Sequence, residues 1–257
     1  MTRATPAGDY DYERGGAGYA AHRQTDPRIA AYVHAALGDA RTVVNVGAGA
    51  GSYEPDDREV TAVEPSAAMR AQRPADREPA VDAVAESLPF ADDTFDAAMA
   101  TITIHQWPDL DSGLRELRRV SRGPVVIMTF DGEVLAQFWL AEYAPGVIAK
   151  ERVRYPSLTC VCDVLGGRAR IQTVPIPIDC TDWFGEALYA RPEQFLDADV
   201  RLAQSAWGLV DEAEAQRSVQ RLRADLDSGE WDQRFGYLRE RSEYAGSLRL
   251  VVAEPGR

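Results

Sequence analysis

Gly47, Gly49 and Gly51 alternate with Ala48 and Ala50 immediately after the run Thr42-Val43-Val44-Asn45-Val46, and Glu64 closes a second apolar run, Val60 to Val63. A β-branched run that empties into glycines predicts a buried strand and a turn whose backbone N–H groups can approach a ligand closely. A carboxylate at the tip of the neighbouring strand, 17 positions after Gly47 (64 − 47), is placed to accept hydrogen bonds from both hydroxyls of a ribose. Together these residues describe a nucleoside-binding crevice.

The nucleoside can be narrowed. The dinucleotide pattern G-x-G-x-x-G needs Gly or Ala at position 52, where this chain has Ser52. That pattern also opens a helix whose N-terminus holds a pyrophosphate. Here Pro55, Asp56 and Asp57 follow, and acids there repel an anion. A phosphate-free, zwitterionic nucleoside such as S-adenosylmethionine (SAM) fits better. The stretches NVGAGAG, VTAVEPSAAM and AESLPFADDTFDAAMATITIHQWPD, in this order and spacing, resemble the successive motifs of the class I SAM-dependent methyltransferases. Within that family they are most similar to the small-molecule branch that includes ubiquinone-biosynthesis-type enzymes. The resemblance covers residues 19 to 130 well and the remainder weakly.

The resemblance implies roles for particular side chains. Tyr19 and Arg23 cover the methionine moiety, Arg23 pairing its carboxylate. Asn45 stands where the family usually places an acid for the ligand's amino group; its amide oxygen still accepts a hydrogen bond, without the charge. Gly47, Ala48, Gly49, Glu64 and Pro65 hold the ribose end, Met69 packs on adenine, Glu86 and Ser87 read its edge, and Thr101 flanks the methionine part. His105 has an ordinary pKa of about 6.5, suited to a general base near neutrality. The family resemblance equally makes it a structural anchor. Asp131, Glu142 and Tyr143 are the polar groups that could orient a methyl acceptor or take its proton. His105 and Tyr143 are therefore the catalytic candidates, and no metal is expected.

The elements that position these residues follow from pattern. Asp26-Pro27 starts a helix carrying Ile29, Val33, Ala36 and Leu37, which Gly38 ends. Only eight residues, Ser52 to Glu59, separate the glycine turn from the second strand, too few for a crossover helix. Strands are expected at Ala80–Ala85, Phe95–Ala100, Val125–Phe130, Arg170–Ile178 and Ser247–Ala253, with a helix over Ser112–Ser121. The resemblance implies an α/β, Rossmann-like doubly wound sheet of seven strands in the order 3-2-1-4-5-7-6, the last antiparallel, with a shortened first crossover. A single domain over 1–257 is expected, its core at about 27–130 and 170–257. A helical cap at about 131–168, rich in Phe138, Trp139, Leu140, Val147 and Ile148, would cover the acceptor pocket, after a mobile lead-in at 1–26.

Composition narrows the partners. The net charge of −13 and a single lysine, Lys150, argue against a nucleic-acid substrate. No apolar run approaches the roughly 20 residues of a membrane span, and the start MTRATPAGDYDYERGG has no secretory core. A cytoplasmic location is the expectation. Cys160, Cys162 and Cys180 are too few for a disulfide framework or a four-thiolate zinc site, and the first two read as core of a small-residue strand. The expected activity is transfer of the SAM methyl group to a small acceptor with an apolar or aromatic part. The alternative is a SAM-binding protein that does not transfer methyl, a cofactor-dependent cyclase or a regulator.

Overall fold

In the computed structural model, which describes residues 23–256, a six-stranded sheet runs through the molecule. Its strands are β1 (Thr42–Val46), β2 (Glu59–Val63), β3 (Ala97–Thr101), β4 (Val125–Phe130), β5 (Arg168–Thr173) and β8 (Leu248–Glu254), in the order β2-β1-β3-β4-β8-β5. β2, β1, β3 and β4 are parallel, and β8 lies antiparallel between β4 and β5. The expected strand at Ala80–Ala85 is reduced to one parallel bridge between Val63 and Val81. Pro79 just before it has no N–H to add to a ladder, and only Val81 pairs, its N–H donating to Ala62 O and its carbonyl accepting from Glu64 N. The sheet is thus six strands, with a single residue at the outer edge.

The period-2 alternation of the strands sorts two hydrophobic layers. Val43, Met99, Val126, Met128, Leu250 and Val252 face helix α1 (Pro27–Ala36) and the cover described below. Val44, Ala98, Val125, Ile127, Val251 and Ala253 face α3 (Leu110–Val120) and α7 (Leu158–Leu165), which contribute Leu114, Leu117, Val120, Val161 and Leu165. α1 starts as its sequence predicts, the Asp26 carboxylate accepting from Arg28 N at 2.9 Å. α2 is one turn, Ala67–Arg70, capped by Ser66 Oγ, and α3 is capped by Asp109. No helix forms between Gly51 and Glu59, so the shortened first crossover stands.

Two expectations need correction. Cys160 and Cys162 sit in α7, a helix, with Cys160 exposed and Cys162 half-buried. The run expected as one strand over Arg170–Ile178 breaks at Pro175; β5 stays in the main sheet, while β6 (Ile176–Pro177) pairs with β7 (Glu243–Tyr244) as a separate ribbon. The aromatic stretch after β4 is helical, built from α4 (Gly132–Leu135), α5 (Leu140–Tyr143) and α6 (Pro145–Arg154), with Pro145 opening the last. α4 packs on α6, and α5 and α6 pack against a second stretch, the turns at Pro192–Leu196 and Ser205–Leu209 and helices α8 (Ala198–Leu202), α9 (Glu212–Ser228) and α10 (Glu230–Phe235). Trp139 lies among Tyr143, Phe195, Trp231 and Phe235, which ties the two stretches into one cover. Tyr19 and most of the expected lead-in fall outside the described residues.

Candidate functional site

The glycine turn at the end of β1 is stitched to the tip of β2. Gly47 N and Ala48 N both donate to Val63 O, at 2.9 and 3.0 Å, and Gly51 N donates to Ala48 O. Gly49 N donates to Glu64 Oε2 at 2.8 Å, and Ser66 N to Glu64 Oε1 at 2.8 Å. The amides expected to meet a ligand are therefore used inside the protein, and what they do is aim the Glu64 carboxylate. Gly47 has φ +70°, and a Cβ there would lie 2.2 Å from Thr103 Oγ1; only glycine lets the turn close against the end of β3. Glu64 is 8 % exposed, and burial raises its pKa above the usual value against the pull of the Ser66 and Gly49 amides. A carboxylate has about four acceptor sites, so each oxygen keeps capacity for a hydroxyl. Pro65 O, next in the chain, accepts from Arg70. The Met69 side chain closes over the turn, its Cε within 3.3 Å of where a Cβ on Gly49 would stand.

Asn45 is fully buried, and its Nδ2 donates to Glu54 Oε1 at 3.0 Å. A carboxylate only accepts, so the amide nitrogen must face it, which leaves Asn45 Oδ1 as a buried acceptor without a partner. Glu54 in turn binds Arg73 at 2.9 Å and Arg77 at 3.1 Å. The sequence reading missed this cluster, because nothing in the spacing of Glu54, Arg73 and Arg77 marks them as neighbours. Its carboxylate comes from the loop that stands between β1 and β2 in place of a crossover helix. Thr101 ends β3 in register with Met128. Glu86 and Ser87 lie on the loop after the Val81 bridge; Glu86 Oε1 accepts from Asp109 N at 3.2 Å, and Ser87 is exposed.

A cavity of about 660 Å³, counting its open mouth, lies between the carboxyl ends of β3 and β4 and the cover. Ile102, Phe130, Leu135, Phe138, Tyr155 and Phe184 give it apolar walls, and Arg23, His105, Glu151, Glu186, Gln204 and Ser205 are its polar members. Ile102 takes φ +52°, an expensive conformation for a β-branched residue, at the turn where β3 leaves the sheet beside the cavity. Arg23 joins the wall through Asp182, whose other oxygen accepts from Tyr53 OH at 2.7 Å. Asp182 thereby ties the lead-in, the glycine-turn loop and the cover together.

His105 reaches this wall edge-on to Tyr155, ring centroids 4.9 Å apart. Burial first, then Arg154 and Arg23, push its pKa down to about 3, so the ring is neutral at physiological pH and a weak proton acceptor. Tyr143 does not line the cavity. Its hydroxyl donates to Asp225 Oδ2 at 2.8 Å on the cover, and burial pushes its pKa up. Asp131 caps α4, and Glu142 is paired with Arg234, so neither faces the cavity. Glu186 was not among the sequence candidates, yet with Glu151 it is one of the two acids the fold delivers to the wall. Among the described residues no group of His, Cys, Asp and Glu could hold a metal, and no helix is long and apolar enough to cross a membrane.

Residues 44–127 match a family described as a methyltransferase domain. Of solved structures, that of an Anabaena variabilis protein described as a methyltransferase from an antibiotic biosynthesis pathway is similar over 90 % of this chain and 98 % of its own, at 27 % identity and a TM-score of 0.84. Protein YafE of Escherichia coli is 29 % identical over 130 residues, 48 % of this chain and 61 % of YafE. A rice chloroplast 2-methyl-6-phytyl-1,4-hydroquinone methyltransferase is 43 % identical over 60 residues, 23 % of this chain and 17 % of its own length. The matched stretches thus span less than two thirds of both curated relatives. The chain thus carries a methyltransferase domain over residues 44–127, in a fold similar to that of a solved methyltransferase. The orphaned Asn45 oxygen, the side-chain-free turn and the aimed Glu64 carboxylate suit SAM's ammonium and ribose, so the residues present fit that cofactor.

Proposed function

We propose that the protein moves the methyl group of SAM to a small-molecule acceptor whose apolar part fills the cavity under the cover. The observation that carries this reading is the apolar cavity at the carboxyl ends of β3 and β4, the sheet edge on which the glycine turn and Glu64 also lie. When bound, SAM supplies an electrophilic methyl on a sulfonium. The chain's own part is to hold the two molecules in line and keep water out. Glu64 holds the ribose hydroxyls, Asn45 Oδ1 accepts from the ammonium, and Met69 packs beside adenine, with Glu86 and Ser87 at its edge. Arg23 and Thr101 border the methionine end, and Pro65 fixes the Glu64 backbone. His105 serves as a neutral wall group rather than as a base. An acceptor of modest size, not a nucleic acid, suits both the cavity and the negative net charge.

Calorimetric titration with S-adenosylhomocysteine, followed by assay of its formation from SAM with a panel of amines, phenols and hydroquinones, tests the reading. Binding together with turnover on at least one acceptor is expected. Binding without turnover on any member would favour a SAM-dependent protein that does not transfer methyl. No binding would remove the cofactor assignment itself.

A further inference from the structure

Glu186 lies in the single turn Gly185–Leu188 at the inner face of the cover and is 1 % exposed. Its Oε2 accepts from Ser247 N at 2.8 Å and from Ser247 Oγ at 2.6 Å, which anchors the carboxylate to the start of β8. Oε1 is buried and, among the described residues, has no hydrogen-bond partner. The other charges around the cavity are matched. Arg23 faces Asp182, and Arg154 faces Glu151 at 3.3 Å. Arg249 acts on Glu186 only from a distance and stands 4.0 Å from Asp131. His105 is neutral. Among the described residues the cavity wall therefore carries one carboxyl group with no counter-charge in contact with it, in apolar surroundings where an unpaired carboxylate oxygen is costly.

We propose that the cavity takes an amine: a cationic nitrogen on an apolar or aromatic body, its N–H donating to Glu186 Oε1. A hydroxyl could satisfy the oxygen, but only a cation also supplies the missing charge. This inference rests on the methyl-transfer reading for its consequence. An ammonium has no lone pair, so it must shed a proton before it can attack. Glu186 Oε1 accepts that proton, the freed nitrogen forms the N–C bond as the methyl donor's C–S bond breaks with its pair left on sulfur, and the carboxyl returns the proton to solvent. The groups that set the titration of Glu186 are Ser247 just before β8, Arg249 from β8, Asp131 before α4 and Tyr244 from β7. Burial outweighs them and lifts its pKa to about 7, within reach of a proton exchanged near neutrality.

The test compares 2-phenylethylamine with 2-phenylethanol, probes of the same shape that differ in charge, by calorimetric titration of the wild-type protein and Glu186→Gln. At about pH 8 the amine is expected to bind at least ~10-fold more tightly than the alcohol, the scale of one charge-assisted hydrogen bond. That gap should close as the pH falls below about 7 and Glu186 takes up a proton. In Glu186→Gln it should be nearly absent at every pH, while S-adenosylhomocysteine binds as in the wild type. Equal binding of the two probes, binding of neither, or a gap that survives the substitution would overturn the inference. Gln keeps an acceptor for Ser247; should the variant nonetheless not fold, the pH dependence in the wild type decides alone. The two readings fail separately: loss of S-adenosylhomocysteine binding strikes the methyl-transfer reading, and loss of the amine preference strikes this one.

Discussion

The two halves of the site are built in opposite ways. On the cofactor side the charged groups are tied before any ligand arrives: the turn amides to Val63 and Glu64, Asn45 Nδ2 to Glu54, and Glu54 to two arginines, with the neutral Asn45 Oδ1 left open. On the acceptor side the walls are apolar and one carboxylate oxygen is left without a donor. The first half is set for one invariant nucleoside, and its groups cost little reorganisation on binding. The second keeps an unmet demand, and an unmet demand is what selects among acceptors. Perturbing each half should therefore give different readouts.

The largest effect is expected on the tied side. Glu54→Ala removes the carboxylate from Arg73, whose side chain is only 5 % exposed, and from Asn45. Breaking a buried pair from one side costs about 3–5 kcal/mol, so urea unfolding should show a loss of that order and S-adenosylhomocysteine affinity should fall with it. A loss under about 1 kcal/mol would mean that the cluster is effectively solvated, and the contrast would fade.

The acceptor side should announce itself through pH. Burial, opposed by the Ser247 hydrogen bonds and Arg249, raises the Glu186 carboxyl from 4.5 to about 7. Between those values the folded protein holds a proton that the unfolded chain has released. The stabilisation from Glu186 is thus complete below about pH 4.5 and gone above about pH 7, a change of about 3 kcal/mol. Other carboxylates move the opposite way, among them Asp96, held low by the Thr42 amide and Arg122. The informative quantity is therefore the difference between wild type and Glu186→Gln across that range in chemical denaturation. A flat difference would place Glu186 in contact with solvent.

Glu64→Ala is expected to be milder for folding and specific for the cofactor. It removes a charged acceptor from the nucleoside and from two backbone amides, and should weaken S-adenosylhomocysteine by roughly 1–3 kcal/mol in calorimetry. Unchanged affinity would show that the ribose binds elsewhere.

The contrast also explains what could be read from the chain. The cofactor half is local: β1, the glycine turn and Glu64 lie within a short stretch, and their spacing has geometric meaning. Even the missing crossover helix was legible, because eight residues cannot span it. What occupies its place was not, since Glu54 meets Arg73 and Arg77 only once the loop folds back. The acceptor half gathers side chains from Arg23 to Ala206, and no periodicity links positions so far apart. The aromatic run 138–148 suggested a helical cover, but helical spacing alone could not separate Phe138, which lines the cavity, from Tyr143, which meets α9. Glu186 follows Phe184-Gly185 in a short turn with no pattern that marks it. His105 was a reasonable candidate by residue type and lost that standing through burial, which composition does not reveal.

Tyr143→Phe should give the smallest effect and is the sharpest check on where the acceptor half ends. The substitution keeps the ring that packs edge-on against Trp139 and carries Arg221 over its face, and removes only the hydroxyl that meets Asp225. One hydrogen bond at the margin of the cover is worth about 1 kcal/mol, so a small fall in denaturation midpoint is expected. The KM for an accepted amine and the pH profile of turnover should stay at wild-type values, because the hydroxyl borders neither the cavity nor Glu186. A shifted pH profile in Tyr143→Phe would move the proton-accepting group from the cavity wall to the α5–α9 seam, and the line drawn between the tied and the open half would have to be redrawn through the cover.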